Sequence, residues 1–316
     1  MMQGNDPDSA SGGNWLSVTR CPGCGSTEFS GKGLLPRDYY NFRGEIIKIP
    51  REGIGLAECL NCSLVFKTVL PAPDFLTEVI ESKAGTVWND TYDFKSEREL
   101  IEGFVGSGSF DLLDIGPSNG ALLKAFSGLP GKRSGLDIVQ HPGLEKHLRG
   151  EFIRGLLDDI QLIWDGTQYD VVTVFDVLEH FYQPGKAFSN LGGLLKEGGI
   201  VVLETGDTDC FWSRKLGVEQ WRYTNLFEHH VFWRPESIQF HANKNGFDVL
   251  SIKKTVHKGW KTRSVFNKIK QLLKLVMWLL VPNLYKRIAD RLKEDGSISP
   301  QVPYTRDHLL VVLKKR

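Results

Sequence analysis

Residues 112–123 have the sequence Leu112-Leu113-Asp114-Ile115-Gly116-Pro117-Ser118-Asn119-Gly120-Ala121-Leu122-Leu123. An apolar run ends in an acid and an isoleucine, a turn that contains glycine follows, and an apolar helical pattern begins after the turn. Ligands of a doubly wound sheet bind at the carboxyl ends of its strands, where a turn of this kind lies. Gly116 and Gly120 would let the backbone approach such a ligand closely.

A second acid follows at a spacing that favours a nucleoside ligand. Asp137 ends the next apolar run, about twenty residues after the turn, where an acid can accept hydrogen bonds from both ribose hydroxyls. The turn itself is DxGxxxG and not the GxGxxG that lays a pyrophosphate on a helix N-terminus. The carboxylate of Asp114 would repel a phosphate, but it suits a sulfonium cation and an amino group.

Short apolar runs alternate with helical segments from residue 110 onward, which predicts a parallel sheet built from βαβ units. The predicted strands are Phe110–Ile115, Arg133–Ile138, Phe152–Gly155, Tyr169–Phe175, Ile200–Glu204, Phe247–Thr255 and His308–Lys314. The predicted helices lie near Ala121–Ser127, Leu144–His147, Pro184–Leu195 and Pro235–Asn245. The predicted fold class is therefore α/β, with a Rossmann-like sheet of seven strands.

Three motifs resemble those of one enzyme family. Asp114-Ile115-Gly116-x-x-x-Gly120 resembles motif I of class I S-adenosylmethionine-dependent methyltransferases. Residues 169–180 (YDVVTVFDVLEH) resemble their strand-four motif, and residues 195–203 (LKEGGIVVL) resemble their turn into strand five. The similarity runs from about residue 108 to 255, with the motifs in the family's order. It implies a seven-stranded methyltransferase sheet, S-adenosylmethionine as the cofactor, and methyl transfer as the reaction.

The resemblance also implies which residues hold the cofactor. Gly116 and Gly120 would line its methionine part, with Asp114 near the amino group. Asp137 would hold the ribose, and Ile138 would touch the adenine.

Further residues are implied near the adenine and the methyl group. Asp158 lies where the family often contacts the adenine ring, and Asp176 and His180 would border the methyl-transfer site. The alternative for Glu179 and His180 is an ordinary helix start, because an acid is favourable at the positive end of a helix.

The segment 220–233 is rich in aromatic, His and Glu residues and follows predicted strand five, on the side where substrates approach. An oxygen or carbon acceptor needs a base, and histidine is the usual one. The segment resembles the substrate loop of sugar C-methyltransferases, which carry an N-terminal four-cysteine zinc domain and show Tyr-x-Glu-His. This chain keeps Glu228 and His229, has Leu226 at the tyrosine position, leaves open whether Tyr223 substitutes, and has no counterpart of that family's long C-terminal domain. His229 is the first candidate for the base and His230 the second; a buried structural histidine is the alternative.

Two CxxC pairs, Cys21–Cys24 and Cys59–Cys62, predict a structural zinc ion, because a tetrahedron of four thiolates leaves no open position for catalysis. The gap between the pairs exceeds the usual ~15–20 residues, which implies an inserted hairpin. The alternatives are a redox CxxC or two unrelated reduced pairs. Cys210, the fifth cysteine, is expected to be buried as a small apolar residue.

The expected organisation is a flexible tail (1–18), a zinc-binding module (19–70), a helical connector (71–108) and a methyltransferase domain (109–316) with a basic amphipathic insertion at about 261–301. The composition is ordinary for a globular protein, and the net charge of +1 favours no particular partner. We find no signal-peptide pattern and no run of the ~20 apolar residues that span a bilayer. The expected location is cytoplasmic, with contact to the inner face of the membrane left open.

The insertion carries the charge asymmetry. Residues 253–293 contain twelve Lys and Arg but one acid, Asp290. Phe266, Ile269, Leu273 and Val276 share one helical face, so segment 264–293 is typical of a helix that lies on a membrane or contacts a lipid-linked substrate. The alternative is packing on the sheet or on a second subunit.

The sequence thus favours a methyltransferase for a small molecule, most of all a sugar, a nucleotide sugar or a lipid-linked or polysaccharide intermediate. A zinc-ribbon RNA methyltransferase and a non-catalytic binding module are the alternatives. Nucleic acid is the weaker choice of partner, because the excess positive charge lies in an apolar helix pair and not along a groove.

Overall fold

The computed structural model of the protein describes residues 13–82, 91–258, 264–291, 300 and 305–316. Its N-terminal part contains seven short strands: β1 (Trp15–Ser17), β2 (Phe29–Leu34), β3 (Tyr39–Phe42), β4 (Glu45–Lys48), β5 (Gly55–Cys59), β6 (Val65–Lys67) and β7 (Val69–Pro71). Two helices follow, α1 (Pro73–Glu81) and α2 (Lys95–Val105), within the segment predicted to be helical.

The remaining strands are β8 (Leu112–Ile115), β9 (Arg133–Asp137), β10 (Phe152–Arg154), β11 (Tyr169–Phe175), β12 (Leu195–Gly206), β13 (Val231–Phe232), β14 (Phe247–Thr255) and β15 (His308–Lys315). The helices are α3 (Ala121–Ala125), α4 (Pro184–Leu194), α5 (Phe211–Leu216), α6 (Pro235–Lys244), α7 (Val265–Leu280) and α8 (Pro282–Arg291). The helix predicted near Leu144–His147 is only a 3₁₀ turn, Leu144–Lys146.

The seven predicted strands form one sheet in the order β10-β9-β8-β11-β12-β15-β14. Strands β8 to β12 pair in parallel, whereas β15 is antiparallel to both of its neighbours. The prediction of a Rossmann-like α/β sheet is confirmed. The strand order reverses between β8 and β11, so the loops after these two strands diverge and leave a crevice at the carboxyl edge.

Strand β11 shows why this sheet needs layers on both faces. Successive side chains point to opposite faces, and Val171, Val172 and Val174 are all fully buried. Val172 and Val174 belong to the core beneath α4 and α6, whereas Val171 belongs to the core that includes residues of α2 and α3. A continuous apolar run is what a central parallel strand requires when helices cover both faces.

The N-terminal module shares its sheet and its core with the rest of the chain. Strand β6 pairs with β13, which completes a four-stranded sheet in the order β13-β6-β5-β2. Cys21, Leu64 and Phe66 lie in the same buried cluster as Val172 of β11. A segment of about fifty residues buries little surface by itself, so it gains stability by packing against the larger core.

The flexible tail predicted for residues 1–18 is wrong for residues 15–17. These residues form β1, which pairs antiparallel with β7. The ring of Trp15 packs against Phe75 and Phe227, with centroids 6.3 and 6.2 Å away. A large aromatic side chain therefore orders the strand. Residues 1–12 lie outside the described part of the chain.

The basic insertion contains two helices, as its apolar pattern predicts. The Ser264 hydroxyl accepts a hydrogen bond from the backbone N–H of Asn267 and so caps the start of α7. Pro282 begins α8, where its missing N–H is tolerated. Residues 261–263, 292–299 and 301 of the predicted insertion lie outside the described residues. Within the described ranges, no helix has the length and apolar content needed to cross a membrane.

Candidate active site

The turn after β8 follows the sequence prediction closely. Gly116 has φ of +72° and Gly120 has φ of +80°, a conformation that L-residues with a side chain rarely adopt. A Cβ atom at residue 116 would lie 2.3 Å from Cγ2 of Val177, which follows β11. The two strands at the reversal point therefore approach each other so closely that only glycine fits at this position.

A cavity of about 780 Å³ opens at the carboxyl edge of the sheet, above this turn. One end is lined by residues at or just after the ends of β8, β9, β10 and β11, among them Ile115, Gly116, Asp137, Ile138 and Leu156. Gly116, Asp137 and Ile138 were predicted to hold the cofactor. Gly120 is not in the wall of the cavity; its position for a Cβ faces Leu144 and His147.

The two predicted cofactor acids differ in their surroundings. Asp114 is buried, and its Oδ1 accepts a hydrogen bond of 2.7 Å from the hydroxyl of Thr173. It lies beneath the turn and not in the cavity wall. Asp137 lines the cavity, its Oδ1 accepts a hydrogen bond from the N–H of Val139, and burial raises its pKa to about 6. Asp137 therefore offers an acceptor in the place where the sequence puts the ribose.

Asp158 has a structural task in addition to its predicted role. Its Oδ2 accepts hydrogen bonds from the N–H groups of Tyr182 and Gln183, which fixes the loop between β11 and α4. Burial raises its pKa to about 6. The cavity wall is formed by the preceding residues, Leu156 and Leu157. Contact of Asp158 with the adenine stays a prediction.

Asp176 lies at the centre of a charged cluster in the cavity wall. It follows β11 with φ of +56°. Its carboxylate is 3.1 Å from Nε2 of His257, 3.3 Å from Nζ of Lys258 and 3.8 Å from Nε2 of His308. Burial opposes the charge of Asp176, but these three groups outweigh burial and hold its pKa well below the usual range. Asp176 therefore remains an anion.

Sequence reasoning missed the histidines of this cluster. His257 follows β14 and His308 begins β15, and Thr255 pairs with His308 in the antiparallel register. The end of one strand and the start of an antiparallel neighbour lie at the same edge, so both histidines reach the carboxyl edge of the sheet. Burial lowers the pKa of His308, but the carboxylate of Asp307, 2.9 Å from its Nδ1, reverses this and raises it.

Glu179 is fully buried and held by two hydroxyl groups. Its Oε1 accepts a hydrogen bond of 2.5 Å from Tyr223, and its Oε2 accepts one of 2.9 Å from Thr205. The N–H of Gly206 donates to the Tyr223 hydroxyl at 2.9 Å, which fixes the direction of the phenol. Burial raises the pKa of Glu179 and that of Tyr223. This network of four residues makes a rigid polar part of the cavity wall.

His180 lies in the cavity wall between two carbonyl groups. Its Nδ1 is 2.8 Å from the carbonyl oxygen of Glu228, and its Nε2 is 3.1 Å from that of Asp176. A neutral imidazole has one N–H and can donate to only one of the two. Because both ring nitrogens face acceptors, His180 bridges the end of β11 and the segment before β13.

The two candidate bases occupy different environments. His229 lines the cavity, and its Nε2 is 3.9 Å from Oε1 of Glu179. His230 is fully buried outside the cavity wall, and its ring packs against Tyr182 at 4.3 Å. Burial lowers the pKa of both histidines well below 6.5, so both are neutral near pH 7. The geometry thus favours His229 over His230.

Tyr223 and Leu226 both line the cavity. The sequence left open whether Tyr223 replaces the tyrosine of Tyr-x-Glu-His, where this chain has Leu226. The ring of Tyr223 is 4.2 Å from that of His229 and stacks on Trp221 at 4.9 Å. Leu226 and Glu228 are also in the cavity wall. Tyr223 makes the hydrogen bond with Glu179, and whether it substitutes for the tyrosine of Tyr-x-Glu-His stays a prediction.

The four cysteines of the CxxC pairs meet at one point. Sγ of Cys21 is 3.5 Å from Sγ of Cys62, and Sγ of Cys24 is 3.5 Å from Sγ of Cys59. Their four sulfur atoms lie within 4.8 Å of one another. Thiolates at ~2.3 Å from a tetrahedral zinc ion are about 3.8 Å apart, so the observed spacing fits that ion. Cys210 is buried at the start of α5, as predicted.

Two further groups of side chains in the described part of the chain have metal-ligand types and spacing. They are Asp176, His257 and His308, and Glu179, His180 and His229. Lys258 already pairs with the carboxylate of Asp176, and Glu179 already accepts two hydrogen bonds.

A comparison with protein families identifies the chain. The sequence profile described as "Methyltransferase domain" matches residues 79–252, which is more than half of the 316 residues. The chain belongs to the methyltransferase-domain family. The prediction that the protein is an S-adenosylmethionine-dependent methyltransferase is thereby confirmed at the level of the domain, and the crevice at the reversal point is the place where this fold binds ligands.

Curated relatives of the methyltransferase domain have related names. A protein named ubiquinone biosynthesis O-methyltransferase from Nitrosococcus oceani is 23% identical over 191 residues, which cover 54% of this chain and 80% of that protein. A protein of the same name from Glaesserella parasuis is 26% identical over 149 residues, covering 40% of this chain and 62% of the relative. The chain therefore spans less than two thirds of that second relative.

Solved structures resemble the methyltransferase domain only loosely. The 1,6-didemethyltoxoflavin-N1-methyltransferase of Burkholderia thailandensis has a TM-score of 0.49 at 11% identity, over 84% of this chain and 97% of that one. The N-methyltransferase NodS of Bradyrhizobium japonicum has a TM-score of 0.43 at 12% identity, over 76% of this chain and 96% of that one.

Proposed function

We propose that the protein transfers a methyl group from S-adenosylmethionine to a hydroxyl oxygen of a small acceptor bound beside His229. The observation that carries this proposal is the cavity itself. One end presents Gly116, Asp137 and Ile138, and the other presents Tyr223 and His229. S-adenosylmethionine supplies the methyl group as an electrophile on a positively charged sulfur, so the protein must position and deprotonate the acceptor.

At the cofactor end, three features suit the donor. Gly116 gives close backbone approach, Asp137 offers a carboxylate to the ribose hydroxyls, and Ile138 and Leu156 provide apolar contact for the adenine. Asp114 places a negative charge beneath the turn, which suits the amino group and the sulfonium.

The engagement of neighbouring polar groups supports His229 as the proton acceptor. The carboxylate of Asp176 is already engaged by His257, Lys258 and His308. Glu179 already accepts two hydrogen bonds, and His180 faces two carbonyl oxygens. His229 is neutral, and its ring lines the cavity.

Glu179 would stabilise the charge that forms on His229. The acceptor's O–H proton passes to a ring nitrogen of His229 while its oxygen forms the new C–O bond and the S–CH₃ electron pair returns to sulfur. The imidazolium then has the carboxylate of Glu179 3.9 Å from its Nε2. A buried carboxylate that orients and stabilises a catalytic histidine is an established arrangement.

The acceptor end favours a hydroxylated small molecule. It presents the rings of Trp212, Trp221 and Tyr223 together with Arg43 and Arg222. Aromatic faces with a few polar groups suit a sugar, a nucleotide sugar or the sugar part of a lipid-linked intermediate. The names of the curated relatives also favour oxygen as the accepting atom. We further propose that the four cysteines hold a structural zinc ion.

Replacing His229 with asparagine tests the proposal. Removal of a general base lowers turnover by about 10²–10⁴-fold, whereas the affinity for the cofactor should not change, because the other end of the cavity is intact. Transfer of labelled methyl groups to nucleotide sugars and lipid-linked glycans measures turnover, and calorimetry measures cofactor binding. His141→Gln is a matched control, since His141 lies outside the cavity wall. Turnover of His229→Asn within twofold of the parent would exclude His229 as the base, and a parent protein without cofactor affinity would exclude the function.

A further inference from the structure

The outer surface of α7 exposes an unusual amount of apolar side chain. Phe266 is 76% exposed, Leu273 65% and Leu280 75%. Their apolar neighbours on the same side are also exposed: Val265, Ile269, Leu272, Val276 and Leu279. We call these eight side chains the apolar face of α7. Scattered exposed leucines are ordinary, but a continuous patch marks an interaction surface.

The apolar face has the geometry of a helix that lies at a boundary. At 3.6 residues per turn, its eight members cover about 140° of the helix circumference. The opposite side packs inward, where Leu275 is buried, and Tyr285 and Ala289 of α8 are buried as well. The two helices are thus fixed to the protein by their inner side. Their outer apolar side is not covered by any described residue.

Positive charge borders the apolar face on both sides. Lys268 and Lys270 lie at its two edges on the helical wheel. Lys286 and Arg287 of α8 are also exposed. No acidic residue occurs from 264 to 289. An apolar stripe with basic borders complements a partner surface whose outer groups are anionic and whose interior is apolar.

We propose that α7 and α8 dock the protein onto an anionic membrane surface, with the apolar face of α7 buried at the boundary of headgroups and acyl chains. Apolar residues supply partitioning, and bordering lysines supply attraction to anionic lipids. A second copy of this chain fits the surface less well, because a symmetric contact would bring like charges together. The helix lies on the membrane, since α7 is too short to span it.

Docking would place the cavity next to the membrane. Leu275, on the inner side of α7, is itself part of the cavity wall. An acceptor whose apolar anchor stays in the lipid would therefore reach the site from the docked side. This last step rests on the proposed function and narrows the acceptor to the lipid-linked class; docking itself does not depend on it.

Vesicle sedimentation tests the docking with the full chain and no cofactor or acceptor, so its result is independent of methyl transfer. The protein should pellet with phosphatidylcholine vesicles that contain about 30% phosphatidylglycerol, and much less with phosphatidylcholine alone. Phe266→Ser combined with Leu273→Ser should weaken binding at least tenfold. Lys268→Gln combined with Lys270→Gln should weaken it by about fivefold per lysine on the anionic vesicles.

Matched controls exist elsewhere on the surface. Leu162 is 83% exposed, and Lys124 is exposed at α3, so Leu162→Ser and Lys124→Gln should bind as the parent does. The proposal is overturned if the parent stays in solution with both kinds of vesicle. It is also overturned if the variant with Phe266→Ser and Leu273→Ser binds anionic vesicles as the parent does. A third result would overturn it as well: light scattering shows a dimer of the parent that this variant no longer forms, and neither protein binds vesicles.

Discussion

Replacing Gly116 with alanine perturbs the turn after β8 where the structure leaves least room. The new Cβ would lie 2.3 Å from Cγ2 of Val177, whereas carbon atoms in contact are ~3.5–4.0 Å apart. Either the turn or Val177 must move by more than about 1 Å. In addition, φ of +72° costs a residue with a side chain about 1–2 kcal/mol.

A control separates the two effects. Gly246 has φ of +77°, and a Cβ there would meet no atom within 4 Å. Gly246→Ala should therefore lower stability by about 1–2 kcal/mol, and the cofactor affinity should not change. Gly116→Ala should lower stability by more, and the affinity for S-adenosylhomocysteine should fall at least about tenfold, because the displaced turn no longer fits the ligand. Adding Val177→Ala removes the atom that clashes and should restore part of the affinity.

Thermal denaturation measures the stability, where the strain alone corresponds to a fall of a few degrees. Isothermal titration calorimetry measures the affinity. The reasoning is refuted if Gly116→Ala binds the ligand as tightly as the parent. It is also refuted if Gly246→Ala loses as much affinity as Gly116→Ala, since strain rather than the position of the turn would then be the cause.

Two further predictions concern pH and metal. Burial raises the pKa of Asp137 to about 6, so the charged carboxylate is available above this pH and is lost below it. The affinity for the cofactor should therefore fall by up to about tenfold per pH unit below pH 6. Calorimetry with Asp137→Asn should show a lower affinity that does not change with pH in this way. A parent affinity that is flat from pH 5 to 8 would contradict this. Cys59→Ser should abolish zinc binding, measured by elemental analysis, and lower the melting temperature. The control Cys210→Ser keeps a capping side chain at α5 and should retain zinc. Equal zinc content in both variants would exclude the site.

Much of the fold follows from local pattern. Strands β11 and β14 have the predicted bounds, because each is a run of strand-forming residues that ends at a turn. Strand β12 begins at Leu195, five residues before the prediction, since Leu195 pairs with Tyr169 across an irregular register. Pairing partners decide such an extension, and they are not visible in the segment itself.

Site residues could be predicted where a sequence motif identified both the residue and the strand end at which it lies. Gly116, Asp137 and Asp176 lie at or just after the carboxyl ends of strands of the parallel sheet, so topology brings them to one edge. His257 and His308 were missed because the inserted helices separate them in sequence, and only the antiparallel register of β14 and β15 joins them. Their roles and that of His229 stay predictions.

The segment from Leu226 to His230 is anchored on two sides. Nζ of buried Lys67 in β6 donates a hydrogen bond of 2.5 Å to the carbonyl oxygen of Leu226. The backbone N–H of Lys67 donates one of 3.0 Å to the carbonyl oxygen of His230, whose own N–H donates to the backbone carbonyl oxygen of Glu179 at 2.8 Å. The cysteine-bearing sheet thus fixes the backbone on both sides of His229. Exchange of residues 19–70 between relatives would consequently alter which acceptors are used, while recognition of the methyl donor stays the same.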